Sequence, residues 1–272
     1  MAVEEAKVTT GAAKKVTAFV GSARKRHTYN AVCEFLEKLD AFGGVEPEIV
    51  RLGEYRIETC RGCKACFDRG EEFCPLKDDR DVLIEKIMAS DGVVLASPNY
   101  SFQVSGLMKV FLDRMGFLFH RPRFHGKAFT SIVAQGIGGG KKLVEYLDFA
   151  AARLGFDVVK GSCSTAREPM TEKEQRKRSE ALARQSTRFY RQLSKPTDHT
   201  PNLVHLMGFR MARTGIRQEL DERSRDYTYY SERGWFEAEY YYPTHLGLLK
   251  RGAGHLFDAI SARIFKPRAE GG

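Results

Sequence analysis

Long apolar runs are missing from this sequence. Nowhere among its 272 residues does a hydrophobic stretch approach the roughly 20 residues needed to cross a bilayer. That excludes a membrane-spanning helix. The start, MAVEEAKVTTGAAKK, has no apolar core of the kind a secretion signal requires, so the expected compartment is the cytoplasm. There is no internal repeat and no low-complexity tract. The Gly-Lys-Ser/Thr of a Walker loop is absent, and so is the G-x-G-x-x-G of a dinucleotide-binding turn. No aromatic-plus-basic pattern of an RNA-binding surface stands out. The net charge of +9 is interleaved with acidic residues. It reads as a solvated surface that attracts phosphorylated ligands, with no nucleic-acid partner expected.

What is present is an alternation of two periodicities. KKVTAFV is an apolar, β-rich run that stops at Gly21, and AVCEFLEKLDAF follows with Val32, Phe35, Leu36 and Leu39 at helical spacing. EPEIVRL reads as a second strand and DDRDVLIEKIMAS as a helix, with Asp78 or Asp79 at its start. DGVVLASPNY, KAFTSIVAQG and FDVVKG read as further strands, separated by the helices SGLMKVFLDRMGFLF and KKLVEYLDFAAARLG. Five β segments alternating with helices predict an α/β fold, a doubly wound parallel sheet covered on both faces. After Gly161 the pattern becomes helical and polar, then rich in tyrosine from 227 to 242. The expected organisation is a sheet domain over 14–162, with a cysteine-rich loop at 58–79, and a helical, aromatic-rich extension over 163–272. That extension is too aromatic for a free tail and is expected to pack on the domain or on a second subunit.

In such sheets ligands bind beyond the carboxyl ends of the strands. Three loops occupy these ends. GSARKRHTYN, residues 21–30, brings the hydroxyls of Ser22 and Thr28 and the cation of Arg24 to a helix start, a combination that favours a phosphate monoester such as that of FMN. SPNYSFQVSG, residues 97–106, offers Tyr100 and Phe102 to flank a flat ring and Asn99 for a heterocycle edge. QGIGGGKK, residues 135–142, is glycine-rich enough for close approach to a ligand.

Together these loops resemble those of the NAD(P)H-dependent FMN reductase and iron–sulfur flavoprotein family. GSARKRHT is similar to its phosphate loop, with Ala23 in place of the usual proline, and SPNYSFQVSGLMKVFLDR to its second loop. CRGCKACFDRGEEFCPLKDD resembles the cysteine segment of the iron–sulfur branch. The resemblance implies a flavodoxin-like fold, bound FMN and redox activity. It implies that Ser22, Arg24, Thr28 and Asn30 hold the phosphate. Pro98, Asn99, Tyr100, Ser101 and Phe102 would line the isoalloxazine ring, and Gly136 and Gly138 would close over it.

Four of the six cysteines, Cys60, Cys63, Cys66 and Cys74, fall in one short run with Pro75 after the last. In a reducing compartment, metal or redox chemistry is favoured over two disulfides there. The C-x2-C-x2-C start and the Cys-Pro end fit a [4Fe–4S] cluster best. Redox-active free thiols and a zinc site remain open. Cys33 and Cys163 read as small core residues, and His120, His205 and His245, which lack ligand spacing, as structural ones. Asp113 with Arg114 reads as a structural or subunit-contact ion pair rather than a catalytic acid.

The leading expectation is an oxidoreductase that takes electrons from NAD(P)H through FMN to a quinone, flavin or protein acceptor, with no side chain required as a general acid. The alternative is an iron–sulfur flavoprotein electron carrier that does not use NAD(P)H, and a zinc-stabilised binding module stands third. A homo-oligomer is expected.

Overall fold

The computed structural model describes residues 12–197 and 199–265. Residues 1–11, which carry most of the start considered for a secretion signal, and the last seven residues of the expected extension lie outside the described residues.

Three strands form the centre because their side chains are apolar in unbroken runs, which suits burial on both faces. They are β1 (Lys14–Val20), β3 (Gly92–Tyr100) and β5 (Ala128–Gln135). β2 (Val45–Arg51) pairs with β1. Two short strands, β6 (Asp157–Val158) and β7 (Ser162–Thr165), pair in turn with the first and second halves of β5. The order is β2-β1-β3-β5-β6, all parallel, with β7 continuing the β6 edge. A two-residue strand, β4 (Gln103–Val104), folds back antiparallel on the end of β3. This is the flavodoxin-like sheet expected.

The fifth strand differs from the expected continuous FDVVKG. It breaks because the Asp148 carboxylate draws the Gly161 N–H out of the ladder at 3.0 Å while also accepting from Ser131 Oγ at 2.7 Å. Burial holds the Asp148 pKa above the usual carboxylate range even so.

Helices α1 (His27–Asp40), α2 (Ala65–Asp68), α3 (Arg80–Met88), α4 (Gly106–Arg114) and α5 (Gly140–Leu154) follow in chain order. α3, α4 and α5 cover one face through Leu83, Phe111, Leu147 and their neighbours. α1 covers the other with Ala31, Val32, Phe35 and Leu39 at helical spacing, and it shares that face with α6 (Glu172–Leu193). α6 starts on a reciprocal Thr171–Glu174 capping box. It presses Phe189 so close to the sheet that a Cβ on Gly92 would lie 2.7 Å from the ring. Gln185, fully buried, donates to Thr130 Oγ1 and to the Ser131 carbonyl at 2.8 and 2.9 Å. The first part of the region expected as an extension thus completes the sheet's edge and one of its two helical layers.

The remainder, α7 (Leu203–Glu219), α8 (Arg225–Glu232) and α9 (Leu248–Ile264), builds a small core of its own around Leu206, Phe209, Tyr230, Trp235 and Tyr240. Asn202 caps α7 by accepting the His205 N–H at 2.9 Å. This unit docks on the sheet domain, where the His125 ring stacks on Tyr241 at 4.4 Å.

If α6 is a structural layer, Phe189→Ala removes a buried ring that packs edge-on against Phe35 at 5.7 Å. It should lower unfolding stability by about 3–5 kcal/mol in urea titrations. A loss under about 1 kcal/mol would mean that α6 is a peripheral attachment.

Candidate functional site

The chain leaves β1 toward α1 on one face of the sheet and leaves β3 toward α4 on the other. The loops at these two strand ends therefore part, and a cleft of about 260 Å³ opens between them. Ser22, Arg24 and Thr28 line it from the first loop, Pro98, Asn99 and Tyr100 from the second, and Gly136 from the third. Seven of the expected site residues thus come together. Arg26, His27, Ala134, Gln135, Ala166 and Glu168 line it too, beyond the residues expected to bind there. The loop after the last strand, with Ala166 and Glu168, was open to the same strand-end reasoning as the other three.

Asn30 stands apart. It is exposed, and its N–H is spent on the Arg26 carbonyl at 2.8 Å within α1. Ser101 and Phe102 form the two-residue turn between β3 and β4, both at positive φ (50° and 60°). Turns of this hand usually carry Asn-Gly, because a side chain there is strained. Gly138 contributes its carbonyl, which accepts from Asn99 Nδ2 at 2.7 Å and ties the second loop to the third. Phe102, 73% exposed, lies against Gly139, whose φ of +86° makes any side chain there strained.

Two features of the cleft look for an anion and a polar ring. α1 begins with no side-chain cap and no acid in its first turn, so its free N–H groups and positive dipole end face the cleft. Glu168 is matched by Arg26 at 3.1 Å and His27 at 3.0 Å, while Arg24 forms no ion pair among the described residues. Asn99 Oδ1 is buried without a hydrogen-bond partner among the described residues. These donors and acceptors fit FMN, with its phosphate at α1 and the edge of its ring at Asn99.

The four clustered cysteines line a second cavity, of about 80 Å³, walled by Phe67, Leu76, Arg114 and Phe117. Cys60 and Cys63 are exposed, Cys66 and Cys74 half-buried, and all four are free thiols. Among the described residues no three His, Cys, Asp or Glu side chains stand close enough to hold a metal ion. The donor chemistry suits a soft metal or cluster, whereas the spacing requires the loop to close further. Gly62 (φ 64°) and Lys64 (φ 60°) mark its bends.

Burial pushes the Cys66 thiol up. Burial acts the same way on Cys74, but the Arg114 guanidinium, 3.2 Å from its sulfur, and the Leu76 N–H outweigh it and hold that thiol below the usual range. Arg114 pairs with Asp78 at 2.7 Å, both side chains fully enclosed. The expected Asp113–Arg114 pair does not form, because adjacent helical residues point apart; Asp113 pairs with Lys109 one turn back. Cys163 packs against the larger core, and burial pushes its thiol up to about 11.

Comparison with known proteins agrees with this geometry. A family model described as NADPH-dependent FMN reductase matches residues 14–168. An iron-sulfur flavoprotein of Archaeoglobus fulgidus is 36% identical over 135 residues, covering 49% of this chain and 60% of that protein. One from Methanosarcina thermophila is 29% identical over 135 residues, or 48% of this chain and 69% of that protein. The match takes in 60% and 61% of two Archaeoglobus fulgidus relatives, so the chain spans about three fifths of their length. Among solved structures, an oxidoreductase from Corynebacterium diphtheriae has a TM-score of 0.52 at 16% identity, covering 67% of this chain and 98% of that one. A flavone reductase has a TM-score of 0.53 at 16% identity, with 66% and 63% covered. At such identities the likeness shows the fold alone.

Asp78 provides a test of the cysteine loop's anchorage. Burial would raise its pKa, but the Glu58 N–H, the Arg114 guanidinium and the Arg80 N–H together hold it below the usual range. A carboxyl whose folded pKa is depressed stabilises the fold fully above its unfolded value, near about 4. That stabilisation is lost as the pH falls through the folded value. Asp78→Asn should therefore cost about 3 kcal/mol at neutral pH, and its deficit against the wild type should shrink as the pH falls below about 4. A deficit independent of pH would show that the charge of Asp78 does not anchor the loop.

Proposed function

Because the chain belongs to the NADPH-dependent FMN reductase family, we propose that it is an FMN-dependent oxidoreductase whose flavin lies in the cleft at the ends of β1, β3 and β5. The observation that carries this reading is the convergence of an uncapped helix start, an unpaired Arg24 and the unpartnered Asn99 Oδ1 in one cleft. The chemistry that FMN supplies when bound is two-electron uptake from a reduced nicotinamide and release of those electrons singly or as a pair.

The chain's own residues bind and orient. Ser22, Thr28, Arg24 and the first N–H groups of α1 hold the phosphate. Asn99, fixed by the Gly138 carbonyl, presents its free oxygen to an N–H on the ring edge. Pro98 and Tyr100 form one wall, and Gly136 and Gly138 give the third loop a close approach. Exposed Tyr100, Phe102 and Ile137 leave an open apolar mouth for a planar donor or acceptor. No general acid or base is assigned.

In this reading the four cysteines hold a [4Fe–4S] cluster, with soft thiolates as ligands and the loop closing as they bind it. The relatives named iron-sulfur flavoproteins support it. With a cluster beside the flavin, an electron carrier that does not turn over NAD(P)H is the second reading. In either case electrons go to a quinone, a flavin or a protein acceptor. Leu249, Leu256 and Ile260, exposed on α9, support assembly with a second copy.

Arg24→Ala removes one charge-assisted phosphate contact worth about 1.5–3 kcal/mol. FMN affinity, read by flavin fluorescence on dilution, should fall roughly ten- to a hundredfold with the fold intact; unchanged affinity would remove Arg24 from the site. For the cysteines, anaerobic protein supplied with iron and sulfide should gain broad visible absorbance. Any one of Cys60→Ser, Cys63→Ser, Cys66→Ser or Cys74→Ser should abolish that absorbance and leave FMN bound, while Cys33→Ser should change neither. Stoichiometric FMN with no iron uptake after reconstitution would end the cluster assignment and leave the flavin assignment standing.

A further inference from the structure

Behind the cysteine cavity lies a buried cation that neither cofactor assignment uses. The Arg121 side chain is 0% exposed. Its Nη1 donates to Asp226 Oδ1 at 2.7 Å, and its Nη2 donates to the carbonyl oxygen of Cys66 at 2.8 Å and to Glu71 Oε2 at 3.0 Å. The guanidinium lies over the rings of Phe117 and Tyr229, at 5.4 and 5.9 Å from their centres. One planar group thus joins three parts of the chain: the turn carrying Cys66, the segment leading to Cys74, and α8.

A second tie runs beside it. Asp226, 3% exposed, places Oδ2 2.6 Å from His120 Nδ1. The His120 ring packs on Phe67 at 4.6 Å, and Tyr230 donates its hydroxyl to the His120 carbonyl at 3.1 Å. The match to the reductase family ends at residue 168, so Asp226 and Tyr230 lie outside the part of the chain that the family model describes.

We propose that Arg121 and Asp226 are positioning residues through which the C-terminal helical unit holds the cysteine loop in place. The physical reason is the cost of an unbalanced buried charge. Asp226 supplies the enclosed carboxylate that keeps the Arg121 guanidinium in the interior. Without it the guanidinium turns toward water, and the Cys66 carbonyl loses its donor. α2 is one helical turn long, so the loop then relies on the remaining polar ties, Arg114 with Asp78 and Cys74 and the donations of Arg80 and Arg123 to Glu71. Lysine cannot replace Arg121, because a single ammonium does not present a planar fork to three separate oxygens. The role concerns the loop itself and holds whether the thiols carry a cluster, zinc or nothing, so its failure is separable from that of the cofactor assignments.

The test is hydrogen exchange of the full-length protein, read peptide by peptide, together with alkylation of individual cysteines. In Asp226→Asn and in Arg121→Lys, exchange over residues 60–76 should rise about tenfold or more and Cys66 should alkylate faster. Exchange over residues 21–30 and alkylation of Cys163 should stay at wild-type rates. Should Asp226→Asn fail to fold, the double variant Arg121→Met/Asp226→Leu decides: an apolar pair keeps α8 docked, with slow exchange over residues 225–232, while residues 60–76 still loosen. Wild-type exchange over 60–76 in that double variant, or an even rise across the whole chain, would overturn the proposal.

Discussion

The reversal of strand order between β1 and β3 is the constraint on which the rest depends. Helices leave these neighbours on opposite faces, so their loops diverge beyond the contact between Gly21 and Ser105, and the strand ends open into a cleft. Ser105 sets how far they part. Its hydroxyl caps α4 by accepting the Met108 N–H at 3.2 Å and donates to the Gly21 carbonyl, while its own N–H is bound by Ser97 Oγ at 2.9 Å. Gly21 has no room for a side chain, since a Cβ would lie 2.9 Å from that hydroxyl. The loop that follows Gly21 is thereby delivered to the start of α1, where the helix leaves its own donors free.

The cysteine loop is held by a different kind of force. It is short of regular structure, and enclosed arginines tie it to the rest of the fold. Arg114 serves Asp78 and Cys74, and Arg121 serves Glu71, Cys66 and Asp226. Buried ion pairs add little net stability over apolar packing, but removing one partner is costly. Such pairs specify one geometry and penalise others. That suits a loop whose four thiols must meet a common centre and whose bends at Gly62 and Lys64 leave it freedom to close.

Much of this was legible in the sequence, for physical reasons. The apolar runs of β1, β3 and β5 and the helical spacing in α1 and α5 fix the alternation, and strand-end reasoning finds three of the four loops at the cleft. α6 was harder to place. Its buried face includes Gln185, whose amide donates to a sheet that no local pattern reveals, so the helix read as part of an extension. The break in the fifth strand needs Asp148, a residue on α5. Arg121 and Asp226 are 105 residues apart, and nothing near either of them announces a partner. Asn30 and Ser101 were drawn in by position along the loops, whereas side-chain direction within a helix turn or hairpin decides what reaches the cleft.

The account rests most heavily on the claim that the start of α1 is a phosphate site within a flavin cleft. Titrating the protein with FMN and with riboflavin, which lacks only the phosphate, measures this directly. The account predicts that FMN binds at least about a hundredfold more tightly than riboflavin at low salt, as several charge-assisted contacts require. It also predicts that the difference narrows as ionic strength rises. Equal affinity for the two ligands would contradict it.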